Sequence, residues 1–174
     1  TPLQLAAAIS AIANRGPRPH PRLGQVIEDP VSKQRVPLAP EPPLSPGAYT
    51  AQQYETMVHN LTDVVHGEGG TARGIGWNAP YKIAGKTGTA QVKSIGQAES
   101  YVESRTAEHL RDHALFIAFA PVDDPKIAVA VIVENGGHGG SAAAPIARKI
   151  MDLYLLGNAA TDVKVSVPAS GEAD

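Results

Sequence analysis

Two unbroken apolar runs of seven residues, Ala114 to Ala120 and Ile127 to Val133, constrain this chain more than any other feature. Between them stands Pro121-Val122-Asp123-Asp124-Pro125, which has the chemistry of a turn. Each run is far short of the roughly 20 apolar residues that a membrane-spanning helix needs. Their apolarity is continuous rather than alternating, so a sheet built from them must be covered on both faces. The expected arrangement is an antiparallel hairpin in the middle of a sheet, with helices as the covers. The fold class is therefore α+β: an antiparallel sheet of at least three strands sandwiched by helices.

The covers are visible in the sequence. Thr1 can cap a first helix, Pro2 suits its first position, and Leu5, Ile9 and Ile12 form one stripe before Gly16 stops it. Thr50-Ala51-Gln52-Gln53 is a capping-box pattern that opens a second helix carrying Tyr54, Val58, Leu61 and Val65. That helix ends in the glycine-rich turn His66-Gly67-Glu68-Gly69-Gly70. A closing helix is predicted from about Ala143 to Leu156, with Ile146, Ile150 and Leu153 as its packing stripe and Gly157 as its C-cap. Nine of the fifteen prolines fall between Pro17 and Pro46, so residues 17–49 read as an irregular lobe with one short hairpin around Gln25 to Val36. Tyr81 to Val92 mixes β-formers with small residues behind Pro80, as an edge strand does. Residues 93–112 form a long polar excursion, and the tail from Asn158 is expected to be flexible. Three strands and three helices cover a sheet incompletely. The chain is expected to be part of a domain.

Several function classes drop out. Fifteen basic against seventeen acidic side chains leave a formal charge of -2, which gives no electrostatic case for nucleic acid. Without cysteine, disulfides, Cys-ligated zinc and thiol nucleophiles are excluded. The opening residues carry no signal-peptide pattern. Gly85-Lys86-Thr87 resembles the end of a phosphate loop, but Pro80 stands where its first glycine belongs and no helix follows. Gly74-Ile75-Gly76-Trp77-Asn78-Ala79 matches a dinucleotide fingerprint in letters, yet it follows no strand. His109 and His113 lack the glutamate that a zinc protease places after the first histidine, so no metal site is expected. His113 beside Asp112 instead suits the start of a buried strand. His138 suits a tight strand-to-helix connection, and Asp123-Asp124 a turn.

Lys86-Thr87-Gly88-Thr89 differs, because every residue has a use on a strand beside an active site. The strand edge can bind an extended substrate, and Gly88 lets another backbone come close. Lys86 supplies a fixed positive charge for an anionic group or for a neighbouring nucleophile. Thr87 and Thr89, two residues apart, present their hydroxyls on one side, where both can donate to one carboxylate. Taken alone, the tetrapeptide reads better as a plain exposed edge strand, with a lysine against aggregation and threonines for propensity.

Context reverses that reading. Lys86-Thr87-Gly88-Thr89-Ala90-Gln91 is followed by the polar excursion, Leu110-Arg111-Asp112-His113, a strand ending Ala118-Phe119-Ala120-Pro121, another ending Glu134-Asn135-Gly136-Gly137, and a last helix. With Thr1-Pro2-Leu3-Gln4-Leu5-Ala6 and Gly69-Gly70-Thr71-Ala72, this series resembles the C-terminal part of the class B penicillin-binding transpeptidases. It is most similar to the elongation-specific enzymes of Gram-negative bacteria. The resemblance spans about residues 1–157. It implies peptidoglycan cross-linking: a serine attacks a D-Ala-D-Ala stem peptide, releases D-Ala, and an amine from a neighbouring strand resolves the acyl-enzyme. It also implies acylation by β-lactams. Lys86 would contact the hydroxyl of a second motif, and Thr87 and Thr89 would hold the substrate carboxylate. The Thr89 amide would form half the oxyanion hole, Gly88 would leave room for the peptide, and Gln91 would join the substrate contacts. No cofactor or metal is implied. The implied setting is the periplasmic face of the inner membrane, with elongation-machinery membrane proteins as partners.

One part of the family pattern is missing. None of the nine serines has lysine at the third following position or asparagine at the second. The Ser-x-x-Lys and Ser-x-Asn motifs, and the membrane anchor, are expected upstream of Thr1, in the half of the enzyme that partners this one. Alternatives are a β-lactamase or D,D-carboxypeptidase relative, or a non-catalytic interaction domain that keeps the sheet.

Overall fold

A computed structural model gives the architecture and describes residues 1–44, 47, 49–92 and 106–157. Helix α1 spans Pro2–Ala13 and α2 spans Ala51–His66, and each starts with a reciprocal capping box. The Thr1 and Thr50 hydroxyls accept the amides of Gln4 and Gln53 at 3.3 Å each, while the Gln53 side chain accepts the Thr50 amide at 2.8 Å. These bonds satisfy amides that the first turn leaves without an intrahelical partner. The proline-rich lobe contains the expected hairpin, β1 (Val26–Glu28) antiparallel to β2 (Arg35–Pro37), with Ile27 opposite Val36. Its turn is closed by Asp29, whose carboxylate accepts the amides of Val31 at 2.9 Å and Ser32 at 2.7 Å. A short helix α3 (Arg73–Gly76) precedes the main sheet.

That sheet has the order β3-β4-β5, from Ala84–Ala90, His113–Ala120 and Ile127–Val133, antiparallel throughout. The Pro121–Pro125 turn is closed by the Lys126 amide donating to Ala120 O at 2.9 Å. The expected hairpin is therefore present, but its place differs. Among the described strands only β4 has a neighbour on each side, and β5 lies at an edge.

Strand β4 explains the unbroken apolar run. Ala114, Phe116, Ala118 and Ala120 belong to one core with Val65, Ile75, Ile83, Val129, Ala147 and Met151. Phe119 turns to the other face and packs with Ile9, Ala13, Val58, Ala84 and Val122. Alternate residues thus enter different cores, and the strand must be apolar at every position. Phe116 and Phe119 are both fully buried, and each such burial stabilises by roughly 1.5–3 kcal/mol.

Helix α4 runs Ala144–Leu156, preceded by a single π-helical turn at Gly139–Ala143. Its extent matches the expectation and its packing face does not. Ile146, Ile150 and Leu153 are 43, 43 and 62 % exposed, whereas Ala144, Ala147, Arg148, Met151 and Asp152 are buried. The helix is apolar on two sides, so periodicity cannot choose between them. The small side chains of Ala144 and Ala147 let the backbone approach the sheet. The buried face also carries an ion pair, Arg148 Nε to Asp152 at 2.8 Å. Of the polar excursion, residues 93–105 lie outside the described residues, as does the tail 158–174.

Candidate active site

Strand β3 is the edge that faces away from β4's other neighbour, and it carries Lys86, Thr87, Gly88 and Thr89. Its register sets which way each side chain points. Gly85, Thr87 and Thr89 pair with Ala118, Phe116 and Ala114, all members of the α4-side core. Thr87 and Thr89 accordingly share that face. Lys86 pairs with Ile117 on the opposite face, but its ammonium turns back to the neighbouring residue, Thr87. There Lys86 Nζ donates to Thr87 O at 2.8 Å and reaches Thr87 Oγ1 at 3.5 Å. Lys86 and Thr89 are exposed, and Gln91 is exposed just beyond the strand's end. The structure therefore brings Lys86 and Thr87 together, with Gly88 and Thr89 continuing the same edge.

A close backbone approach beside Gly88 is made by a different glycine, Gly139. A Cβ built on Gly139 would lie 2.2 Å from Leu115 O and 2.6 Å from Gly88 O. Only glycine permits the π-helical turn to sit this tightly over β3 and β4. The next residue, Gly140, packs as closely on Thr71, whose carbonyl oxygen would be 2.3 Å from an added Cβ. Thr71 Oγ1 in turn meets Thr87 Oγ1 at 2.9 Å. Neither Thr71 nor the two glycines emerged as site residues from sequence. Their signal was the pair of glycine clusters, Gly67–Gly70 and Gly136–Gly140, which mark two loops closing on one strand.

The base of β3 is held by two further groups. His66, at the end of α2, accepts the Ile83 amide on Nε2 at 3.0 Å, which leaves the ring proton on Nδ1. Desolvation, then the positive charges of Lys82 and Arg148, lower the His66 pKa. Tyr81 donates to Asp152 Oδ1. Burial, followed by that hydrogen bond, pushes the Tyr81 pKa upward. At the other end of β3, opposite Ala90, His113 starts β4 and accepts the Asn135 amide on Nδ1 at 2.9 Å, the strand-terminal role its sequence position suggested.

A pH dependence follows from His66. Its folded-state pKa lies below the ordinary value, so folding favours the neutral ring. That contribution is fully present above about pH 6.5 and is lost as the pH falls through the folded value. Protonation also removes the acceptor of the Ile83 amide. The melting temperature of the full-length protein should drop between about pH 7.5 and about pH 5. In His66→Gln, whose amide oxygen can accept the same N–H, the drop should be smaller. Equal drops in both proteins would reject this role.

Comparison with known proteins gives a consistent picture. The family profile described as the penicillin binding protein transpeptidase domain matches residues 1–152. The peptidoglycan D,D-transpeptidase MrdA of Haemophilus influenzae is 40 % identical over 178 residues, covering 100 % of this chain and 26 % of that protein. The chain thus spans about a quarter of the length of this curated relative. Among solved structures, Pseudomonas aeruginosa PBP2 in complex with WCK 5153 superposes with a TM-score of 0.68 at 35 % identity, over 99 % of this chain and 32 % of that one. Helicobacter pylori penicillin-binding protein PBP2, solved in complex with MreC, superposes with a TM-score of 0.66 at 26 % identity, over 90 % of this chain and 25 % of that one.

Proposed function

The chain belongs to the penicillin-binding protein transpeptidase family, and we propose that it supplies the substrate-binding strand of a serine-type peptidoglycan D,D-transpeptidase. The observation that carries this reading is the convergence of the Lys86 ammonium and the Thr87 hydroxyl at the open edge of β3, beside Gly88 and Thr89. A cation and two hydroxyl donors on an edge strand suit a peptide that ends in a carboxylate. In the proposed reaction a serine outside these residues attacks the carbonyl between two D-Ala units. The Thr89 amide donates to the oxyanion that forms, and Lys86 fixes the hydroxyl of the second motif. Thr87 and Thr89 hold the terminal carboxylate, while Gly88 and Gln91 border the peptide. Collapse of the intermediate expels D-Ala, and an amine from a second stem peptide resolves the acyl-enzyme. A β-lactam enters the same path and stops at the acyl-enzyme.

In this reading residues 1–157 are the C-terminal part of the transpeptidase domain, with the lobe 17–49 and the excursion 93–112 as its insertions and 158–174 as its tail. No helix of the described residues is long and apolar enough to cross a membrane. An anchor upstream would hold the enzyme at the periplasmic face of the inner membrane. Stem peptides and β-lactams would be its ligands, and elongation-machinery membrane proteins its partners; the Helicobacter pylori protein was itself solved in complex with MreC.

Labelling with a fluorescent penicillin tests the division of labour. The full-length protein should take up one label, on a serine outside residues 1–174 by peptide mapping. The isolated 174-residue chain should remain unlabelled by intact mass. A label on any of its own serines, or none on the full-length protein, would overturn the assignment.

A further inference from the structure

The contact between Thr71 and Thr87 has a chemical consequence beyond packing. Their hydroxyl oxygens are 2.9 Å apart, and either can be the donor. Thr87 Oγ1 has one proton and two lone pairs. Lys86 Nζ, 3.5 Å away, can only donate to it. If Thr87 donates to Thr71, its single proton is used inside the protein. If Thr71 donates to Thr87, the oxygen accepts twice and its own proton is free to point outward. A carboxylate carries only acceptors, so an anion bound at Thr87 is compatible with the second arrangement alone. A hydroxyl that accepts from a neighbour is also the stronger donor, because each bond in a chain polarises the next.

Thr71 is placed to hold this direction. The Ala72 amide donates to Val64 O at 2.9 Å, which ties the loop to the end of α2. A Cβ on Gly70 would lie 2.4 Å from Val64 O, and one on Gly140 would lie 2.3 Å from Thr71 O and 3.6 Å from Thr87 Cγ2. Thr71 is therefore seated by two close backbone contacts, one before it and one above it. Its β-branched side chain has few rotamers to choose from.

We propose that Thr71 is a positioning residue of the carboxylate site: its hydroxyl donates to Thr87 Oγ1 and turns the Thr87 proton toward the substrate's terminal carboxylate. This rests on the reading of Thr87 given above. Thr71 itself touches no substrate. Its loss is felt as weaker recognition of the anion and not as a slower chemical step.

The test compares acylation of the full-length protein by a β-lactam free acid and by the ester of its carboxylate. Four proteins are needed: wild type, Thr71→Val, Thr71→Ser and Thr87→Val. The acid-to-ester rate ratio is expected to fall about tenfold in Thr71→Val, the scale of one hydrogen bond to a charged system. The fall should lie in the binding constant of the acid rather than in the acylation rate at saturation. Thr71→Ser, which keeps the hydroxyl, should restore the ratio. The double variant Thr71→Val/Thr87→Val should match Thr87→Val, because the first residue acts through the second. If Thr87→Val loses the preference and Thr71→Val keeps it, the role of Thr71 is overturned while Thr87 stands. If Thr71→Val slows acid and ester equally, the residue is only structural. If Thr87→Val keeps the wild-type ratio, the carboxylate lies elsewhere and both assignments fall.

Discussion

Replacing Lys86 with Ala in the full-length protein is expected to lower the rate of acylation by a penicillin by about 10²–10³-fold, roughly 3–4 kcal/mol in the barrier. The same substitution should leave stability within about 0.5 kcal/mol of wild type. Both halves follow from where the side chain lies. Lys86 is exposed on an edge strand, and the contacts of its ammonium are Thr87 O at 2.8 Å and Thr87 Oγ1 at 3.5 Å. Little packing is lost when the chain is truncated. A preorganised charge beside the reacting centre is another matter, because its worth is realised as negative charge develops in the transition state. Arginine is no substitute: its planar fork cannot reproduce one compact ammonium at the strand edge. The time course of labelling by a fluorescent penicillin gives the rate, and thermal melting gives the stability. A rate within threefold of wild type, at an unchanged melting temperature, would reject the role assigned to Lys86.

Much of this site could be read from the sequence because its signals are local. The Thr1 cap and the Thr50 capping box each lie within four residues and formed as expected, and Gln4 completes a box at Thr1 as well. The Pro121–Pro125 turn fixed the β4–β5 hairpin, and the apolar runs on both sides required two covered faces. Lys86 to Thr89 could be placed on an edge strand from its own residues, but it became a candidate site only through the resemblance carried by the series around it. What sequence missed depends on contacts between distant segments. Thr71 and Thr87 are sixteen residues apart and meet only because two glycine-rich turns close on β3. His66 was read as part of a turn, and its bond to the Ile83 amide exists only once α2 lies beside β3. The face of α4 was misread for a related reason. Isoleucine and leucine outweigh alanine in any stripe count, yet the close approach of helix to sheet favours the alanines. The two charges that lie between them are tolerable only because they pair with each other.

That pairing is expected to matter more to stability than any other polar contact in the described residues. Asp152→Ala should destabilise the full-length protein by about 3–5 kcal/mol, the scale for removing one partner of a buried ion pair. Arg148 is 0 % and Asp152 2 % exposed. Arg148 Nε lies 2.8 Å from each carboxylate oxygen, and its Nη1 donates to Ile75 O. Its Nη2 is buried with no hydrogen-bond partner among the described residues, and its guanidinium sits 5.7 Å from the Tyr81 ring centroid. Without Asp152 the guanidinium stays buried with its charge unmatched, and the Tyr81 hydroxyl loses its acceptor. Both losses are desolvation that nothing offsets. The pair itself is not an efficient source of stability, so removing both charges together should do less harm than removing one. Arg148→Met/Asp152→Leu is therefore expected to be more stable than Asp152→Ala, though still below wild type because Ile75 O and the Tyr81 hydroxyl lack partners. The effect on function runs through β3. Tyr81 lies three residues before the strand, so releasing it should loosen the base from which Lys86 and Thr87 project. Urea unfolding of the three proteins, with acylation measured well below each midpoint, separates these outcomes. A loss under about 1 kcal/mol for Asp152→Ala, or a double variant less stable than the single, would show that the buried charges are not what holds α4 against the start of β3.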